Sequence, residues 1–310
     1  MNIFFNIAKV TLEEGLMYAV LAMGVYLTYS ILDFPDLSVD GTMPLGAIIT
    51  GVLITHGVPP LLALIIAFLS GMLMGYITGF LNVKLRIRPL LCGILIYTAL
   101  LSVNLAILFI FNDGSSIVSF FREETIFTSF LKGMMPDSVG KTYIRTVVVA
   151  FVVCVVCKAA IDMFLSTKKG LLLRATGNNE RYVVMLSQDP GKSKMTGLAL
   201  GNGFAALAGS VIAQAKGTAD QQMGVGMVVL ALASVIIGLS VFEKVKWMRP
   251  TTKVILGSVL YKAVLSTALA LGLPTEYLKL LMAILFTAAL VMSDKKPISK
   301  NGGKNKNAEA

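Results

Sequence analysis

From Leu12 to Met292 the chain is a succession of apolar runs, each cut off by a short cluster of glycine, proline or charge. A helix needs about 20 apolar residues to cross a bilayer. The runs predict nine spans: Leu12 to Leu32, Pro44 to Thr55, Pro60 to Phe80, Leu90 to Phe111, Tyr143 to Phe164, Thr196 to Ala213, Gly224 to Val241, Val254 to Leu271 and Tyr277 to Met292. The second is short for a crossing and follows Asp33 to Gly41, a stretch with one proline and three aspartates, so it reads as half of a broken helical element. The pattern predicts an all-α polytopic membrane protein in which residues 1–292 form one transmembrane domain and 293–310 a disordered basic tail.

Composition excludes the soluble alternative. Hydrophobic residues make up 56% of the chain and charged ones 14%, whereas soluble domains carry roughly 25% charged residues. The net charge of +10 would point to nucleic acid in a soluble protein; here its distribution sets the orientation instead, and no nucleic-acid partner is expected. If the spans alternate, eighteen of the 27 Lys and Arg residues fall on one side: Lys84, Arg86 and Arg88; Lys168, Lys169, Arg174, Arg181, Lys192 and Lys194; Lys244, Lys246, Arg249 and Lys253; and five tail lysines from Lys295 to Lys306. That side should be the cytoplasm, which puts the N-terminus outside and the C-terminus inside a cell-membrane protein. Met1 to Lys9 lacks the basic, apolar and small-residue order of a removable signal peptide.

Two further patterns carry expectations. Phe120, Phe121, Ile126, Phe127, Phe130 and Leu131, spaced among Arg122, Glu123 and Glu124, predict an amphipathic helix on the outer surface. Ala19 to Gly24, Asp36 and Met43 line up with Gly203 to Ala208, Asp220 and Met227 at a constant offset of 184. The first copy would enter from outside and the second from inside, as in an inverted-topology repeat.

Candidate chemistry is sparse. The single histidine, His56, lies in a turn beside Gly57, Pro59 and Pro60, which rules out histidine-based triads and HExxH zinc motifs. Gly191-Lys192-Ser193 resembles the end of a phosphate loop, but Leu186 stands where the first glycine is required. Cys92, Cys154 and Cys157 all fall in apolar runs and read as packing. No cofactor, metal or catalytic residue is expected. Gly71, Gly75 and Gly79 in one span, and Gly197, Gly201, Ala205 and Gly209 in another, form small faces for close helix packing. Asp36 and Asp40 at the break are either helix caps or part of a pathway through the membrane, and Asn202, Gln214 and Asp220 to Gln222 are either pathway or interhelical glue.

The cytoplasmic segment Leu165 to Gly197 is far longer than a connector needs to be. Gly177, Asn178 and Asn179 offer a helix start, Glu180 suits a first turn, Tyr182, Val183, Met185 and Leu186 make an apolar ridge, and Asp189, Pro190 and Gly191 make a stop. A short helix over about 178–188, lying along the inner face of the membrane, is predicted.

Leu172 to Arg181, Pro190-Gly191, Lys194 to Gly201 and Phe204 to Gly209 together resemble the membrane subunits of ABC importers of the branched-chain amino-acid and ribose permease family, nearest to permeases for aromatic amino acids. Phe34 to Met43 is similar to that family's acidic, glycine-containing break after an early span. The resemblance implies a type II-like importer fold and a permease subunit that forms the path for a small solute, most simply an amino acid. It implies a separate ATPase subunit, an extracellular or periplasmic substrate-binding protein, and a second permease copy or a homologue. It also implies that Asn178, Asn179, Glu180, Arg181, Tyr182, Met185, Leu186, Pro190 and Gly191 dock on the ATPase. A stand-alone secondary transporter with inverted repeats is the rival reading.

Overall fold

The computed structural model describes residues 2–112, 114–129, 139–274 and 277–294. The first helix, α1 (Asn2–Val25), runs on through a π-helical turn at Tyr26–Ile31 and then breaks. It is followed by α2 (Val39–Thr55), α3 (Pro60–Val83), α4 (Pro89–Phe111), the strand β1 (Ile117–Ser119), the single turn α5 (Ile126–Ser129) and α6 (Val139–Ser166). The second half holds α7 (Lys168–Asn178), α8 (Glu180–Met185), α9 (Pro190–Lys216), β2 (Thr218–Asp220), a 3-10 turn (Gln221–Gly224), α10 (Met227–Val241), α11 (Pro250–Ala270) and α12 (Leu278–Asp294).

Four helices start in the same way. Pro60, Pro89, Pro190 and Pro250 occupy the first turns of α3, α4, α9 and α11, each after an extended residue. Proline fits there because its fixed φ suits the helix and its missing N–H would have no partner in a first turn. At 24 residues α3 is about 36 Å long, enough to cross the hydrocarbon core.

Seven helical stretches are long and apolar enough to cross a membrane, and Val39–Thr55 and Leu278–Val291 are shorter apolar helices. The expected set of nine spans thus divides into seven full-length candidates and two short helices. α2 begins at Val39, ahead of the expected Pro44, which stands as its sixth residue, inside the helix, and has no N–H to give the Asp40 carbonyl. The expected span from Gly224 splits into the 3-10 turn and α10, separated by Gly226 at φ 86°.

The helices α1 and α9 are the most buried of the long spans and lie against each other. Each packs on the third helix of the other half: α1 on α11, and α9 on α3. The small face predicted on α3 is what lets α9 in. A Cβ at Gly75 would lie 2.2 Å from the Leu198 carbonyl oxygen, and one at Gly71 would lie 2.5 Å from that of Asn202, so the backbones touch where a larger residue would hold them apart.

The segment expected to form an amphipathic outer helix differs from expectation. In place of an amphipathic helix, Ile117–Ser119 pairs antiparallel with Thr218–Asp220, with Val118 opposite Ala219 and both buried. Phe120 turns inward beside Gly51, and among the described residues of the segment only Ile126–Ser129 is helical. Edge pairing to β2 satisfies backbone groups that a surface helix would have satisfied internally, and the spacing of the phenylalanines could not reveal that partner. Phe130 and Leu131, like the tail from residue 295, lie outside the described residues.

Candidate functional site

At the break, Leu32 closes the π-helical turn on Leu27, Asp33 takes a left-handed φ of 54°, and the Phe34 N–H returns to the Thr28 carbonyl at 2.9 Å. Aspartate tolerates that conformation better than most residues. Asp36, 5% exposed, is the hub of a buried polar cluster. One of its carboxylate oxygens accepts from the Ser38 N–H at 2.9 Å and the Ser38 hydroxyl at 2.6 Å; the other accepts from Asn202 Nδ2 on α9 at 2.6 Å. The second N–H of Asn202 reaches the Leu198 carbonyl at 3.2 Å, and its Oδ1 accepts from Thr42 Oγ1 at 2.8 Å. Thr78 on α3 closes on the Met74 carbonyl at 3.0 Å, with the Ser38 hydroxyl 3.5 Å away. Three helices are thus joined at the break by groups with nowhere else to bond, which is why all are held.

Asp40 does something the sequence could not disclose. It lies in the first turn of α2, yet it caps α10: its carboxylate accepts from the Val228 N–H at 2.7 Å and the Gly226 N–H at 3.3 Å. Asp220 accepts from the N–H groups of Gln222 at 2.7 Å and Met223 at 3.0 Å. It thereby repeats, 184 residues on, the turn that Asp36 makes with Ser38. Asp36 and Asn202 are therefore brought together, whereas Asp40 and Asp220 serve separate turns. Gln214 acts as glue, accepting from the Ile126 N–H at 2.9 Å and donating to the Pro60 carbonyl at 3.3 Å.

The expected docking helix over 178–188 is shorter, and a helix that was not expected precedes it. α7 starts on a Thr167 cap that accepts from the Gly170 N–H, and it ends at Asn178. α8 is six residues long, capped by Asn179, whose side chain accepts from the Tyr182 N–H at 3.3 Å. Val183 turns fully inward, while Tyr182, Val184, Met185 and Leu186 stand out, Met185 at 79% exposure. Asn178 and Arg181 are exposed, and Glu180 pairs with Lys194 at 2.8 Å. Pro190 and Gly191 belong to the first turn of α9, with Asp189 as cap, and Gly191 is buried against Val83. The leucine run Leu171 to Leu173 has no clean 3.6-residue period by itself, which is how α7 escapes a sequence reading.

α7 and the break share a wall. A Cβ at Gly177 in α7 would fall 1.8 Å from the Ile31 carbonyl oxygen, and Gly197 of α9 packs between Leu32 and the fully buried Leu173.

Two charge sites on apolar helices also escape the sequence pattern. Lys262 on α11, 8% exposed, donates to Glu14 of α1 at 2.8 Å and lies 4.0 Å from the centre of the Tyr18 ring. Asp162 near the end of α6 accepts from Lys158, Arg249 and Thr251. A charge inside an apolar run is itself a signal, but a partner 248 residues away is not.

The permease component of branched-chain amino acid transport systems matches this chain over residues 9–290. A tyrosine transport system permease protein of Clostridioides difficile is 37% identical over 279 residues, covering 90% of this chain and 88% of that protein. An uncharacterized protein of Rickettsia prowazekii, RP368, is 31% identical over 291 residues, 92% of this chain and 97% of its own length. More distantly, the ribose import permease protein RbsC of Haemophilus influenzae is 23% identical over 238 residues, 76% of this chain and 70% of that one. No solved structure matches. With its multi-pass helices, its acidic break and this similarity over nearly its whole length, the chain belongs to the branched-chain amino acid permease family of ABC importers.

Proposed function

We propose that this chain is the permease subunit of a binding-protein-dependent ABC importer, paired with a second copy or a homologous permease to form the path for an amino acid. ATP hydrolysis lies on a separate ATPase subunit, and selection on an external binding protein. The name of the Clostridioides difficile relative supports an amino acid, and an aromatic one in particular. The N-terminus lies outside and the C-terminus, with the basic tail 293–310, in the cytoplasm; the crowding of positive charge on one side supports this.

The observation that carries the reading is the shared wall between α7 and the break. An ATPase that grips α8 through Tyr182, Met185 and Leu186, with Asn178, Asn179, Glu180, Arg181, Pro190 and Gly191 framing the contact, pulls on a segment whose next neighbour is the broken end of α1. Asp36 and Asn202 hold that broken end, and Asp40 and Asp220 hold the corresponding turns around α10, so movement at the docking helix reaches all four. Close-packed elements transmit displacement because they do not deform continuously.

A repeated order of elements supports the same design. The order long helix, break, short helix, long helix, apolar helix occurs in α1 to α4 and again in α9 to α12, with reciprocal packing of α1 on α11 and α9 on α3. An inverted repeat also suits a stand-alone secondary transporter. What favours the importer is α8, whose exposed Tyr182, Val184, Met185 and Leu186 are a ready-made anchor set for a partner.

Co-purification tests the reading. Tyr182→Asp and Met185→Asp remove side chains that are 54% and 79% exposed, so the permease itself should stay folded. Loss of a central anchor costs about 2 kcal/mol or more of association, and each variant should release the ATPase on detergent extraction. Full ATPase recovery together with substrate-stimulated hydrolysis in both variants refutes docking through α8.

A further inference from the structure

A second charged site lies where α6, α7 and α11 meet the end of α1. Tyr26, Lys158, Asp162, Arg174, Arg249 and Thr251 are among the polar residues lining a cavity of about 750 Å³. Asp162, whose side chain is 10% exposed, anchors the wall. One carboxylate oxygen accepts from Lys158 Nζ at 2.8 Å and Arg249 Nη1 at 3.1 Å, and the other from Thr251 Oγ1 at 2.7 Å. Three cations thus face one acid. Arg174 is exposed and makes no hydrogen bond or ion pair among the described residues. The first turn of α11, which opens at Pro250 without a side-chain cap, adds its own partial positive charge.

The surroundings are those of a membrane boundary. Lys158 and Asp162 lie in the last turns of a long apolar helix, and Arg249 immediately precedes another. Met163 and Leu171, 71% and 57% exposed, flank the opening, so the charged wall adjoins apolar surface that hydrocarbon would cover.

We infer that this cavity binds the phosphate headgroup of an anionic phospholipid. Arg174 and the free edge of the Arg249 guanidinium take the phosphate oxygens, and the upper acyl chain rests along Met163 and Leu171. A guanidinium presents a planar fork that matches phosphate oxygens in pairs, which a lone ammonium does not. Asp162 fixes Arg249 and Lys158 in place without neutralising the site, and the surplus positive charge selects an anionic headgroup over a zwitterionic one. A soluble anion would gain nothing from the exposed methionine and leucine. The ligand chemistry stands independently of the function proposed above.

The test uses the full-length protein, delipidated in mild detergent and titrated with phosphatidylglycerol or with phosphatidylcholine of the same acyl chains, reading bound lipid by native mass spectrometry and the thermal midpoint. Phosphatidylglycerol should bind at least tenfold more tightly than phosphatidylcholine and raise the midpoint. Arg174→Gln, which removes no internal bond, and Arg174→Gln/Arg249→Gln should abolish that preference while phosphatidylcholine binding stays unchanged. Arg174→Lys should restore only part of it. Equal binding of the two lipids by the unaltered protein overturns the proposal, as does a retained preference in the double variant. Equal protection by inorganic phosphate also overturns it, in favour of a free-anion site. ATPase loss from the variants with lipid binding unchanged overturns it in favour of a protein interface. Because the lipid titration is done without ATPase, failure of the docking experiment leaves it standing.

Discussion

Asn202→Ala removes the side chain that ties the break to α9, and the hydrogen-bond geometry sets what this should cost. The variant deletes a 2.6 Å bond to Asp36 and a 2.8 Å bond from Thr42, leaving one carboxylate oxygen buried without a partner and the Thr42 hydroxyl with only the Val39 carbonyl, 3.4 Å away. In a soluble core a hydrogen bond to a charged group contributes about 1.5–3 kcal/mol and a neutral one about 1 kcal/mol. Within membranes measured interhelical bonds average about 0.6 kcal/mol with a maximum near 1.7, because the unfolded reference also finds partners. Both residues are buried, Asn202 at 0% exposure, so the upper part of the membrane range applies. We expect the Asp36–Asn202 coupling to be about 1–2 kcal/mol and the single Asn202→Ala variant to lose about 2–3 kcal/mol in all. The assay is a double-mutant cycle of Asp36→Ala, Asn202→Ala and the pair, by reversible unfolding in mixed micelles. Asp36→Asn should be nearly as damaging as Asp36→Ala, since it can bring a second N–H donor against Asn202 Nδ2. A coupling below about 0.3 kcal/mol, within the additivity expected of independent sites, would refute the clamp.

The remaining predictions concern packing, capping and topology. Gly75→Leu should cost about 1–3 kcal/mol by forcing α3 away from Leu198, whereas Leu73→Ala on the exposed face of the same helix should be near neutral; equal thermal shifts would refute the close approach. Asp40→Ala should cost about 1 kcal/mol and raise hydrogen exchange in the first turn of α10, with α2 protection unchanged and Asp40→Asn retaining most of the cap. Cysteine at Ser116 should react with an impermeant reagent in intact cells, and cysteine at the exposed Gln188 only after lysis; the reverse pattern would invert the orientation.

Much of this protein is legible in one dimension. The bilayer's low polarity forces each crossing to satisfy its own backbone, so spans stand out as apolar runs, and proline and glycine mark their ends wherever neighbouring residues do not interfere. Charge counting gives an orientation for the same reason, since each loop contributes independently of what it touches. The small faces on α3 and α9 were also visible, as four-residue spacing is a property of one helix. Local capping at Asn179 needed only the next few residues, whereas Asp189, read as a stop, caps the start of α9.

What the sequence left open depends on partners far along the chain. Asp40 reads in sequence as a helix cap or as part of a pathway, and only tertiary packing carries its carboxylate to α10, where it accepts from the N–H groups of Gly226 and Val228. Asp36 finds Asn202, Lys262 finds Glu14, and Asp162 finds Arg249 because folding brings distant turns within hydrogen-bond reach, a geometry no spacing rule contains. The outer loop became a strand for the same reason: β2 offered a pairing edge. Periodicity determines what each segment can bury, whereas the position of its polar groups is decided by whichever unsatisfied donor or acceptor the fold brings nearest.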